Sequence, residues 1–106
     1  MKNTTENKLD RKQIASVVKE ATFTCYGISG ILTVEKKKGQ EEDGIYVHFE
    51  KDNEFSLDIH VFVVEGVKVT EAIRSLQKTI RFYMNRLYPG SCKKINIYAE
   101  GISSLK

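Results

Sequence analysis

Apolar residues return along the chain in two rhythms, and the change of rhythm marks out the elements. Ile14, Val17, Val18, Ala21 and Cys25 recur at helical spacing, while Arg11, Lys12, Ser16, Lys19 and Glu20 fill the opposite side. Asp10 stands where a carboxylate accepts from the free N–H groups of a first turn and suits the positive end of the helix dipole. Thr22, Phe23 and Thr24 weaken helical propensity towards the end, and Gly27 supplies a stop. Residues 31–35 are short, apolar and β-branched, an edge strand or an extended lead-in. Residues 36–44 gather three lysines, then Glu41, Glu42 and Asp43, with glycines at 39 and 44, and read as a mobile loop.

From residue 45 the period becomes two. Ile45, Val47 and Phe49 alternate with Tyr46, His48 and Glu50, and Phe55, Leu57, Ile59, Val61 and Val63 do the same after a turn at 51–53. Pairing Glu50 with Glu54, Phe49 with Phe55 and Val47 with Leu57 puts both apolar sets on one side, as a single core demands. The two facing glutamates are a small electrostatic cost at the hairpin end. Gly66 breaks the strand. Thr70 is a reasonable cap for a second helix, with Glu71 in its first turn. Ala72, Ile73, Leu76, Ile80, Tyr83, Met84 and Leu87 form its apolar stripe, and Pro89-Gly90 ends it. Residues 94–100 alternate once more, with Ile95, Ile97 and Ala99 against Asn96, Tyr98 and Glu100. The order helix, optional strand, hairpin, helix, strand, with every strand apolar on one face, predicts an α+β two-layer sandwich: one small mixed sheet with two helices on one face. Residues 1–8 are expected to be a flexible tail and residues 9–106 a single domain.

Composition narrows the function. The chain has 106 residues, 41% of them hydrophobic and 29% charged, ordinary values for one globular domain. The longest mainly apolar run, residues 59–64 with His60 inside it, is far short of a bilayer span, and the polar start does not read as a secretion signal. A cytoplasmic protein without direct membrane insertion is expected. Cys25 and Cys92 lie far apart with no metal-ligand spacing and are expected to be free thiols. Lys93 and Lys94 beside Cys92 would favour its thiolate, yet no base is identifiable nearby, and Ser29 is not in a nucleophile elbow. His48 and His60 fall on polar strand faces and do not pair across the hairpin. No catalytic residue, metal site or cofactor is expected.

Two surfaces stand out. The net charge of +3 is concentrated in Lys68, Arg74, Lys78, Arg81 and Arg86, with Arg74, Lys78 and Arg81 on one helical face. This stripe is a candidate for an anion or an acidic partner. The outer sheet face carries Tyr46, His48, Phe62, Val64 and Tyr98, and uncovered aromatics there suggest a protein partner or a homo-oligomer. An alternative reading comes from Gly27-Ile28-Ser29-Gly30, which fits the Gly-x-x-Gly of a KH-like RNA-binding or ribosome-associated factor. In this case the loop lacks a cation and a strand-like segment follows it.

Three stretches together resemble the alkaline-shock, or envelope stress response, family of Gram-positive bacteria. Tyr26-Gly27-Ile28-Ser29-Gly30 is similar to the family's glycine–aliphatic–x–glycine helix exit. Residues 56–65 run through Gly66 into a long helix, as in the family. Residues 95–102 resemble its alternating aliphatic ending with a closing glycine–aliphatic pair. Thr70 and Tyr26 stand where many members have proline. The resemblance covers residues 9–103. It implies a non-enzymatic, self-associating stress-response protein with protein partners, among them a small membrane-anchored one that keeps it near the membrane. It brings no site residues.

Overall fold

The computed structural model describes residues 9–37 and 39–103; the expectation of a tail over residues 1–8 lies outside them. The described residues form α1 (Arg11–Phe23), β1 (Ile28–Ile31), β2 (Thr33–Lys37), β3 (Gln40–Asp43), β4 (Ile45–Phe49), β5 (Phe55–Val64), α2 (Val69–Leu87) and β6 (Cys92–Ser103). The class is α+β.

Asp10 caps α1 as its chemistry requires, its Oδ1 accepting from the Lys12 amide at 3.0 Å. The chain leaves α1 through Gly27, whose φ of +92° is a left-handed conformation natural to glycine. A Cβ there would lie 3.1 Å from Val67 and 3.2 Å from Ala72. Gly27 thus lets the α1 exit pack against the start of α2.

β5 organises the sheet. Phe55, Leu57, Ile59, Val61 and Val63 are all fully buried, and of the residues between them only Ser56 is buried too. β4 pairs with β5 antiparallel, with Val47 opposite Leu57 and Phe49 opposite Phe55, the register expected from the single-core argument. β6 runs parallel along the other edge of β5, with bulges beside Ser56 and Phe62. β1 pairs antiparallel with Val61–Val63, end to end with β4 on the same edge. At the junction of β1 and β4 the His60 amide donates to Gly44 O (2.8 Å), the Leu32 amide donates to His60 O (2.9 Å), and the Gly44 amide donates to Leu32 O (2.6 Å). A Cβ on Gly44 would press on His60 Cβ at 3.1 Å and on Leu32 O at 3.2 Å, so glycine lets three strands meet.

From that junction the chain continues as β2 and β3, which among the described residues pair only with each other. The expected mobile loop over residues 36–44 is corrected here: most of it belongs to this two-stranded arm, and the optional strand over 31–35 is split between β1 and β2. The element order therefore has five strands between the helices, not two or three. The arm has no buried residue among those described. Its backbone pairing, with Lys36 reaching Glu42 at 3.2 Å and Lys19 of α1 reaching Asp43 at 3.0 Å, stands where an apolar face would in a core strand.

One apolar core joins Ile14, Val18 and Ala21 of α1, Leu76, Ile80 and Met84 of α2, Ile45 and Val47 of β4, and Phe55, Leu57, Ile59 and Val61 of β5; Phe49, at the hairpin end, is 40% exposed. Full burial of each large member contributes about 1.5–3 kcal/mol. Three local expectations change. Lys68, not Thr70, is the N-cap residue of α2, with no side-chain cap bond; Glu71 still lies in the first turn. Leu87 ends the expected apolar stripe but is 51% exposed, because it falls at the last residue of the helix. The cost of facing Glu50 and Glu54 is relieved: Glu50 accepts from the Ser56 hydroxyl at 2.5 Å and Glu54 pairs with Lys93 at 3.5 Å.

Candidate interaction surface

The even-numbered residues of β5 turn away from the core, and the neighbouring strands extend that face on both sides. Tyr46 of β4 is opposite Asp58, and Asp58 is opposite Asn96; His60 is opposite Tyr98. The His60 ring stacks on Tyr98, with centroids 4.8 Å apart and planes 20° apart, and meets Tyr46 edge-on at 5.6 Å. Its Nδ1 donates to Glu100 at 2.5 Å. One row along, His48 Nε2 donates to Asp58 Oδ2 at 2.9 Å while Asn96 donates to the other oxygen at 3.0 Å. Two histidine–carboxylate pairs and a three-ring cluster thus lie side by side on one face. Phe62 and Val64, half-buried, continue it towards the far end of β5.

Of the five residues expected on this face, the structure brings Tyr46 and Tyr98 together around a histidine that the alternation had only placed on the polar side. His60, Asp58 and Glu100 are the centre of the cluster. The sequence signal for them was strand parity; what the sequence did not supply was the register between β5 and β6. Each histidine has its own carboxylate, and among the described residues no group of three potential ligands converges to hold a metal.

The structure separates one member of the basic stripe from the others. Arg74 and Lys78 are exposed on α2, as are Lys68 and Arg86, and none of them forms an ion pair among the described residues. Arg81 is corrected: it is half-buried and donates to the Cys92 carbonyl at 2.7 Å. It ties α2 to the start of β6 beside Gln77, which donates to Ile95 O at 2.7 Å. A helix wheel places Arg81 with Arg74 and Lys78, but tertiary contact with β6 draws it in.

Both cysteines are free and buried. Burial pushes the Cys92 thiol up, against the opposing influence of the Arg81 guanidinium. Burial thus outweighs any lowering of the kind that Lys93 and Lys94 could bring. The Gly27–Gly30 segment runs from α1 directly into β1, so it does not join two helices as the KH loop does.

No family model matches the chain, and no solved structure matches it. Among curated proteins the chain is similar to the uncharacterized protein YloU of Bacillus subtilis (strain 168), 24% identical over 106 aligned residues, which take in 89% of this chain and 85% of that one. It is also similar to the uncharacterized protein Spy1535 of Streptococcus pyogenes serotype M6, 32% identical over 63 residues, or 59% of this chain and 49% of that protein. The match thus spans about half the length of the second relative. Among the described residues no helix is long and apolar enough to cross a membrane.

Proposed function

We propose that this chain is a non-enzymatic interaction module of the alkaline-shock or envelope-stress type. It acts in the cytoplasm, self-associates, and is held near the membrane by a small membrane-anchored protein. In this reading the two helices form one layer over a single face of the sheet, and the opposite face stays open for partners. The observation that carries it is the outer face itself: Tyr98 is 45% exposed and stacks on His60, which Tyr46 meets edge-on. Aromatic residues are enriched at interface cores, where they bring large contact area with few rotatable bonds. The carboxylate–histidine pairs beside them suit a polar rim.

The test is sedimentation equilibrium of the full chain and of Tyr98→Lys, with circular dichroism to check the fold. The wild type is expected to associate with rising concentration and the variant to remain a folded monomer. The same pair then serves as bait in detergent extracts treated with RNase. A membrane-anchored protein held by the wild type and lost by Tyr98→Lys supports the reading. A wild type that stays monomeric and captures the same proteins as the variant removes it.

A further inference from the structure

The helices carry a second surface, separate from the outer sheet face. On α2, Ala72, Leu76, Ile80 and Met84 recur every fourth residue and are buried. Arg74, Lys78, Phe82 and Arg86 recur in the same way, offset by two residues, which is about 200° around a helix and therefore its opposite side. Phe82 is 57% exposed on that ridge, with the Arg86 guanidinium 6.0 Å from its ring centre. Its ring meets Tyr83 edge-on. Tyr83, Leu87, Phe23, Ala21 and Val17 line an open groove of about 470 Å³ between α1 and α2. Phe23 is 63% exposed and Leu87 51%. Phe82 thus lies on a ridge of cations that form no ion pair within the described residues, and through Tyr83 it adjoins the groove that Phe23 and Leu87 line. The carboxylates on this side are Glu20, at the groove, and Glu71, at the start of α2.

We propose that this side of α1 and α2 docks directly onto an anionic lipid surface, without spanning it. The cations meet headgroup phosphates, and the stems of Lys78, Arg74 and Arg86 leave Phe82, Phe23 and Leu87 free to enter the headgroup–acyl boundary. The combination decides the occupant. A nucleic acid answers the cations and one stacked ring but leaves Phe23, Leu87 and the apolar groove unused. A dry protein interface excludes lysine from its core. Surface contact of this kind goes beyond recruitment by a membrane-anchored partner, because it needs the purified chain alone.

The chain has no tryptophan, so Phe82→Trp introduces a single reporter. The purified full chain is mixed with phosphatidylcholine vesicles, with or without a third of phosphatidylglycerol. The expected result is co-sedimentation with the anionic vesicles only, and a blue shift of the introduced indole's emission, quenched by bromine-labelled lipid chains. Arg74→Ser and Lys78→Ser each weaken partitioning about fivefold. Phe23→Ser combined with Phe82→Ser abolishes the residual binding although charge is unchanged. Tyr98→Lys binds vesicles as the wild type does, so failure on the sheet face and failure here are told apart. Absence of binding to anionic vesicles overturns the proposal. So does vesicle binding insensitive to the two phenylalanines, or RNA that displaces the chain from vesicles at physiological salt.

Discussion

Gly44 and Gly30 flank the place where the arm leaves the sheet, and replacing each by alanine sets the packing argument against itself. At Gly44 a Cβ would lie 3.1 Å from His60 Cβ, 3.2 Å from Leu32 Cβ and 3.2 Å from Leu32 O; at Gly30 nothing lies within 4 Å. Neither glycine has a positive φ. Both substitutions remove conformational freedom from the unfolded chain, which stabilises by about 0.4–1 kcal/mol. Only Gly44→Ala adds overpacking, at a cost of about 1–3 kcal/mol. One obstructing atom is a backbone carbonyl already bonded to the Gly44 amide, so it cannot swing away as a side-chain tip would. The two variants are expected to differ by about 1–3 kcal/mol, with Gly30→Ala the more stable. At about 4–8 °C per kcal/mol for a domain of this size, the melting temperatures separate by on the order of 10 °C. Thermal melts followed by far-ultraviolet circular dichroism measure the difference. Amide exchange should quicken at Leu32, Gly44 and His60 in Gly44→Ala alone. Equal melting temperatures for the two variants would refute the view that the junction needs glycine.

Two further outcomes follow from local chemistry. Because folding raises the Cys92 pKa, the native state holds the thiol proton more tightly than the unfolded chain does. Its contribution is fully present below the thiol's ordinary value and is lost as pH climbs through the folded one, so a Cys92→Ser variant should lose less stability than the wild type between neutral and strongly alkaline pH in urea melts; a parallel loss in both counts against the shift. Asp10→Ala removes the acceptor for the Lys12 amide and should cost about 0.5–2 kcal/mol in the same melts, with Asp10→Asn close to wild type.

What the sequence told depended on burial. The β4–β5 hairpin was legible because both strands alternate strictly and only one register puts Val47 and Leu57 on the same side as Phe49 and Phe55. Asp10 was legible because capping is a contact between near neighbours in the chain. The arm was not: of its residues only Val34 is a large apolar one, and strands built from Glu35, Lys36, Glu41 and Glu42 have no apolar period to betray them. Arg81 looked free because a helical wheel knows nothing of β6 beside it. The outer face was read in its parts, Tyr46, His48, Phe62, Val64 and Tyr98, but not in its centre. The stacking of His60 on Tyr98 needs the parallel pairing of two strands separated by the whole of α2, and its bulges are set by tertiary packing.

The branch at Leu32 and Gly44 has a consequence for how such a chain changes over time. The arm leaves β5 and returns to it without occupying any of its ladder positions, and its described residues place nothing in the core. Residues added or removed beyond the branch therefore change loop-closure entropy, which grows only slowly with length, and leave the pairing of β1, β4 and β6 with β5 as it was. The region around Gly39 is thus where length can vary at least expense, and where a peptide tag or a reporter domain can be inserted while the interaction face and the helices keep their geometry.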